Sequence, residues 1–238
     1  FGATADVGTM AAGLLLAGIA GGLIAGLLGA GGGVVIVPMI YQALAGTGID
    51  ESLRMHIAVG TSLATIIPTS LSSVNAHWKR DSVDWNIVKV WGPAMVAGVV
   101  TGSLLSSIVN GRVLSVVFVC FAIPMSYFIA FRRDDTHLPE RVRGGWTARS
   151  IAYFIGTIAT MMGVGGGGMG GMTLTASGMP VHRAVGTGAA FGLMVSIPGA
   201  IGAVLGGQHV FGLPPYSAGY VNLMGFALIA PAAFVCAP

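Results

Sequence analysis

Glycine runs break two hydrophobic segments of this chain, and a His-containing stretch with the sequence Ala-Val-Gly-Thr follows each run. The first run covers residues 29–33, and its Ala-Val-Gly-Thr lies at 58–61. The second run covers residues 163–168, with its copy at 184–187. An Ile-Pro pair comes next in both places. Repeated, interrupted hydrophobic segments of this kind are typical of transporters whose site lies between two related halves.

A glycine run leaves backbone N–H groups uncovered because it carries no side chains. At a helix start these groups bear partial positive charge and bind anions without a basic side chain. Two such starts that meet inside the membrane would form an anion site, whereas close helix packing or a hinge is the alternative interpretation. We predict that the following glycines bind substrate: Gly31, Gly32, Gly33, Gly165, Gly166, Gly167 and Gly168.

Polar side chains after each run complete the predicted site. Histidine titrates near neutral pH, so the pair His56 and His182 favours a proton-coupled or anion-contacting role, with a capping or interfacial position as the alternative. Arg183 either faces the site from a helix end or is an ordinary orientation signal. Hydroxyl groups in membrane helices either donate to a ligand or bond to nearby backbone. The candidate hydroxyls are those of Thr61, Ser62 and Thr187.

The sequence lacks the residues that nucleotide binding, catalysis or metal binding would need. Residues 163–168 formally match G-x-G-x-x-G, but a dinucleotide site also needs a preceding strand, a βαβ unit and a later acidic residue, none of which is predicted here. The few carboxylates fall in terminal or loop regions, and no histidine cluster has metal-ligand spacing. We therefore expect no enzyme activity, no catalytic residue, no metal site and no cofactor.

The amino-acid composition indicates that the chain lies in a membrane. Charged residues make up 8% of its 238 residues, against roughly 25% in soluble domains. With 54% hydrophobic residues and a mean hydropathy of +0.85, the chain has too few charges to cover a water-facing surface. Inside lipid every backbone polar group must be satisfied, so the spans should be helices. We predict an all-α polytopic membrane helix bundle in the lipid bilayer, and the net charge of +3 does not indicate nucleic acid.

The apolar segments form two related series. We predict a first transmembrane repeat over residues 1–131, a charged cytoplasmic connector over 132–147 and a second repeat over 148–238. The counterpart of the segment 113–131 is missing from the second repeat. The predicted segments are 10–28, 34–45, 56–74, 87–109 and 113–131, then 150–162, 169–179, 184–205 and 219–236.

Basic residues predict the orientation. Lys79 and Arg80 lie in one loop, and four arginines lie between 132 and 143 in the connector. Two full spans separate these loops, so both face one side, which the positive-inside rule makes cytoplasmic. The loop 208–218 has no Lys or Arg, which favours the outside. The halves are inverted repeats if each short segment after a glycine run counts as a passage and parallel repeats if it does not, and we favour inversion.

Several segments together resemble a known family. They are residues 22–33, 56–64, 70–73, 76–85, 184–188 and 213–222. In combination they resemble the sulfite exporter TauE/SafE family of bacterial membrane permeases, and the likeness covers nearly the whole chain. The resemblance implies a secondary transporter of small anions, with sulfite and organosulfonates as the associated substrates. The family usually has a further helix after the Ala-Pro with which this sequence ends.

These observations converge on a secondary active, multi-pass transporter of small anions such as sulfite or organosulfonates in a bacterial inner membrane. We expect proton coupling and alternating access between the halves. A passive anion channel, which would need a continuous wetted pore, is the first alternative. A transporter of small carboxylates is the second.

Overall fold

The computed structural model describes residues 3–28, 32–131 and 145–237. The helices are α1 (Ala3–Leu28), α2 (Gly33–Ala45), α3 (Glu51–Trp78), α4 (Trp85–Ile108), α5 (Gly111–Phe131), α6 (Gly145–Met162), α7 (Gly167–Ala176), α8 (Val181–Gly206) and α9 (Leu223–Cys236). Within the described residues α3, α4 and α8 are long and apolar enough to cross a membrane. The prediction of an all-α membrane helix bundle is confirmed.

Two short helices begin at the glycine runs. Helix α2 has 13 residues and α7 has 10, which makes them about 20 and 15 Å long and too short to cross a hydrocarbon core of about 30 Å. Helix α6 ends in a Schellman-type cap, in which the Val164 N–H donates to the Ala159 carbonyl at 2.9 Å. Gly163 takes the left-handed conformation that this cap requires, with φ 69°. The first glycine of the second run therefore ends α6, and α7 begins four residues later.

Helices α3 and α8 pack against each other at the centre and run in opposite directions. His56, near the start of α3, lines a cavity together with Gly206 at the end of α8. Gly186, near the start of α8, contacts Ser82, just beyond the end of α3. We call the end of the bundle where α3 begins the His56 end, and the end where α8 begins the Asp84 end.

The remaining helix contacts repeat with the halves exchanged. Helix α4 packs on α6 and α8, while α9 packs on α1 and α3. Likewise α2 packs on α3 as α7 packs on α8. Small residues allow the closest approaches: a Cβ at Gly98 or Gly102 would collide with backbone of α6, and one at Gly18 or Gly22 would collide with backbone of α9. Close backbone contact through small residues is how membrane helices associate.

Several helix boundaries differ from the predicted ones, and α1 begins at Ala3 instead of residue 10. The predicted segment 219–236 starts too early, because residues before Leu223 form a small antiparallel ribbon of β1 (Ser217–Ala218) and β2 (Val221–Asn222). Asn222 then caps α9 by accepting the Gly225 N–H at 2.7 Å, which sets the helix start. Helix α6 begins at Gly145, inside the predicted connector. Helix α3 begins earlier than predicted because Asp50 caps it through the Ser52 N–H at 2.8 Å.

Candidate substrate site between the two halves

The two glycine runs meet inside the bundle. A Cβ at Gly33, the first residue of α2, would collide with the carbonyl of Gly163 at the end of α6. The Ser62 hydroxyl lies in the same contact and donates to the Gly163 carbonyl at 2.7 Å. On its other side Gly163 packs against the backbone of Val59 in α3. We call the contact of Gly33, Ser62 and Gly163 the glycine junction.

Both half-helices start in the protein interior. Gly32 and Gly33 are buried, as are residues 161–168. Gly32 precedes α2 in the left-handed conformation, with φ 70°, and its carbonyl accepts the N–H groups of Val35 and Ile36. The first N–H groups of a helix have no carbonyl four residues earlier to bond to, so those of Gly33, Gly167 and Gly168 point out of their helices at buried positions. Gly31 lies outside the described residues.

An aromatic pair covers the first turn of α7. A Cβ at Gly170 would lie 2.5 Å from the Phe191 ring of α8. The Trp91 ring of α4 stacks on Phe191, with ring centroids 5.4 Å apart. Met95, one turn further along α4, reaches Gly166. The Trp91 Nε1–H is fully buried and has no hydrogen-bond partner among the described residues, which leaves one donor of this aromatic pair unpaired.

The Gly-Thr pair of α3 holds a turn from the second half. The Thr61 hydroxyl accepts the backbone N–H of Asn222 at 2.9 Å. A Cβ at Gly60 would collide with the Tyr220 carbonyl. Thr61 is fully buried. Its hydroxyl therefore joins α3 to the residue that caps α9.

The Gly-Thr pair of α8 holds a turn from the first half in the same way. The Thr187 hydroxyl accepts the backbone N–H of Asp84 at 3.0 Å and donates to the Arg183 carbonyl at 2.7 Å. A Cβ at Gly186 would collide with the Ser82 carbonyl. Asp84 caps α4 through the N–H groups of Asn86 and Ile87. The two copies of Ala-Val-Gly-Thr thus each anchor the helix start of the opposite half.

The predicted basic residues of the second half lie at the edge of the bundle. Arg183 pairs with Asp84, with 3.0 Å between Nη2 and Oδ2, and its side chain is 45% exposed. His182 is also exposed. The structure therefore brings Gly33, Ser62 and the second glycine run together but places His182 and Arg183 at the Asp84 end.

His56 lies in a different setting from His182. Its ring is buried, and both ring nitrogens lie within hydrogen-bond distance of backbone carbonyls. It stacks on Tyr220, with ring centroids 4.9 Å apart. A cavity of about 20 Å³ lies beside it and is also lined by Ser103, Thr160 and Gly202.

The sequence did not identify Asp84 and Asn222, whose N–H groups bond to the two threonines. It also did not identify the aromatic pair near α7. Asp84 and Asn222 each precede an apolar helix, which is the position of an N-cap residue and the signal that could have found them. Trp91 and Phe191 carry no such signal, because an aromatic residue in an apolar segment reads as ordinary packing.

Half-helices that start inside a bundle of spanning helices are typical of multi-pass membrane transporters. The chain matches the family described as sulfite exporter TauE/SafE over residues 14–238 and belongs to that family.

A probable membrane transporter protein of Haemophilus influenzae is 30% identical over 209 residues, which cover 88% of this chain and 79% of the relative. One of Bacillus subtilis is 26% identical over 174 residues, covering 66% and 64%. One of Methanocaldococcus jannaschii is 24% identical over 211 residues, covering 88% and 77%. No solved structure matches the chain.

Proposed function

We propose that this protein is a secondary active carrier of small anions such as sulfite or organosulfonates, with the glycine junction at its binding site. The observation that carries the proposal is the meeting of the two runs, where Gly33 of one half packs on Gly163 of the other beside the Ser62 hydroxyl. Transporters built from two halves usually bind substrate between the repeats, where discontinuous helices begin.

The chemistry of the region suits an anion better than a cation. The Trp91 Nε1–H can only donate, and first-turn N–H groups of α2 and α7 are donors as well. The described stretches on either side of the junction, 32–45 and 161–179, hold no Asp or Glu. N–H donors at the starts of the half-helices attract an anion, and the two stretches contain no carboxylate that would repel it.

The packing supports a carrier with inverted halves. Helices α3 and α8 are equivalent in the two series, and they run in opposite directions through the centre. Residues 161–168 are buried on all sides in this structure. A buried site that must open alternately is what a carrier needs, whereas a channel needs a continuous wetted pore.

The distribution of basic residues supports a cytoplasmic Asp84 end, as in a bacterial inner membrane. Lys79, Arg80, Lys89 and Arg183 lie at or next to that end. Arg54 and Arg112, by contrast, lie near the starts of α3 and α5 at the His56 end. The positive-inside rule then puts the His56 end outside.

Transport into proteoliposomes tests the proposal. We expect purified protein to take up labelled sulfite or sulfoacetate with saturation, and unlabelled anion inside the vesicles to accelerate the uptake of labelled anion. Acetate uptake in the same assay tests the carboxylate alternative. Flux that rises linearly with concentration and is not accelerated from the opposite side would indicate a channel. If none of the three anions moves and none shifts the thermal unfolding temperature, the anion proposal fails.

A further inference from the structure

Three backbone carbonyls surround the imidazole of His56. Its Nδ1 lies 3.0 Å from the Ser52 carbonyl, one turn earlier in α3. Its Nε2 lies 3.1 Å from the carbonyls of Ser106 and Val109, at the end of α4. A carbonyl oxygen only accepts hydrogen bonds, so each of these contacts needs a proton on the ring nitrogen.

A neutral imidazole cannot meet that requirement. It carries one N–H, and its second nitrogen has a lone pair. In either tautomer that lone pair would face a carbonyl oxygen at about the distance of a hydrogen bond, at a buried position where an unmade bond is destabilising. Only the imidazolium donates at both nitrogens.

The surroundings are suited to a positive charge. Carbonyls in the last turn of a helix have no partner within the helix and form the negative end of its dipole, and the ring lies on that end of α4. Tyr220 of the second half stacks on the ring, and burial raises the pKa of its hydroxyl, which stays neutral. At the neighbouring helix starts the charged side chains are Asp50, Glu51 and Arg54 of α3 and Arg112 of α5, and the described lining of the adjacent cavity contains no carboxylate.

We propose that His56 is the proton-binding site of the carrier and that its imidazolium form holds the His56 end closed. The proton ties α3 to the end of α4 and lies under Tyr220 of the second half, so it stabilises contacts that must break for that end to open. The assignment rests on the proposed carrier function and selects one of the two predicted histidines, since His182 is exposed and no described contact holds it in this way.

The adjacent cavity offers the proton a way out. It has a volume of about 20 Å³, which is room for one water molecule. The buried Ser103 hydroxyl has no partner among the described residues and lines this cavity together with His56. A proton leaving the ring would pass to water there once the α4 carbonyls move away.

Nitrogen-15 NMR of histidine-labelled protein in lipid nanodiscs tests the protonation state without any transport measurement. His56→Gln identifies the His56 signals by difference among the five histidines. At pH 7.5 we expect protons on both ring nitrogens of His56, because each nitrogen faces a carbonyl oxygen that only accepts. A signal from only one protonated nitrogen would overturn the proposal. If His56→Gln does not fold, Gln variants of the other four histidines assign the spectrum of the unaltered residue.

Uptake under an imposed pH gradient tests the coupling. Glutamine can still donate to a carbonyl but cannot bind a proton, so we expect His56→Gln to lose the response of anion uptake to the gradient. His182→Gln is the matched control and should keep that response. An unchanged response in His56→Gln would contradict the proposal. If the unaltered protein moves none of the anions, the carrier function fails, while the NMR result still decides the proton site.

Discussion

At the His56 end the Gly-Thr pair of α3 holds a turn from the second half, and at the Asp84 end the pair of α8 holds a turn from the first. The hydrogen bonds are the same in kind, at 2.9 Å to the Asn222 N–H and 3.0 Å to the Asp84 N–H. What surrounds them differs: a buried histidine among carbonyls at one end, an exposed ion pair at the other. The two ends share the contact that joins the halves and differ in the polar side chains around it.

The glycines of the two pairs provide the strongest test of this equivalence. We expect Gly60→Ala and Gly186→Ala each to destabilise the protein by about 1–3 kcal/mol, because the added Cβ lies 2.8 Å from the Tyr220 carbonyl or 2.6 Å from the Ser82 carbonyl. Thermal unfolding in detergent measures both effects. Gly46→Ala is the control, since no atom lies within 4 Å of its Cβ. A loss at one end only would show that the two contacts are not equivalent.

The threonines test the same contact through its hydrogen bond. We expect Thr61→Val and Thr187→Val each to lose about 1–3 kcal/mol of stability, because a partly buried N–H at the start of α9 or α4 is left without an acceptor. Thr69→Val is the matched control, as its buried hydroxyl bonds only to carbonyls of its own helix. Equal unfolding temperatures of Thr61→Val and Thr69→Val would contradict the role given to Thr61.

The ion pair of Asp84 and Arg183 should contribute least to the stability of the protein. We expect Arg183→Gln to change the free energy of unfolding by no more than about 1 kcal/mol, because its side chain is 45% exposed and exposed pairs are screened. Unfolding at low and high salt measures the effect, and the difference from the unaltered protein should shrink as salt rises. A large loss that high salt leaves unchanged would mean that Arg183 supports the fold in another way.

Much of the fold could be predicted because it depends on local patterns. Apolar stretches interrupted by glycine indicated α2 and α7, and the low charge indicated a membrane bundle. The ribbon at 217–222 was not predicted because its residues are apolar enough to extend the segment that follows. Only the side chain of Asn222, which accepts the Gly225 N–H, marks where α9 begins.

The candidate site was predicted less completely because it is assembled over long separations. The bond from Asn222 to Thr61 joins residues 161 positions apart, and that from Asp84 to Thr187 joins residues 103 positions apart. No spacing in the sequence shows which turn a threonine will meet. The sequence could therefore mark Thr61 and Thr187 as candidate hydroxyls without indicating that they hold helix starts.

Labelled sulfite exchange in proteoliposomes with Gly33→Ala tests most directly whether the glycine junction is the site of transport. The added Cβ would displace the Gly163 carbonyl at the point where the two runs meet. Gly46→Ala, where the added Cβ meets no atom within 4 Å, is the control for insertion and folding. The account predicts that Gly33→Ala inserts into the membrane but loses exchange, while Gly46→Ala exchanges like the unaltered protein. Full exchange by Gly33→Ala would contradict it.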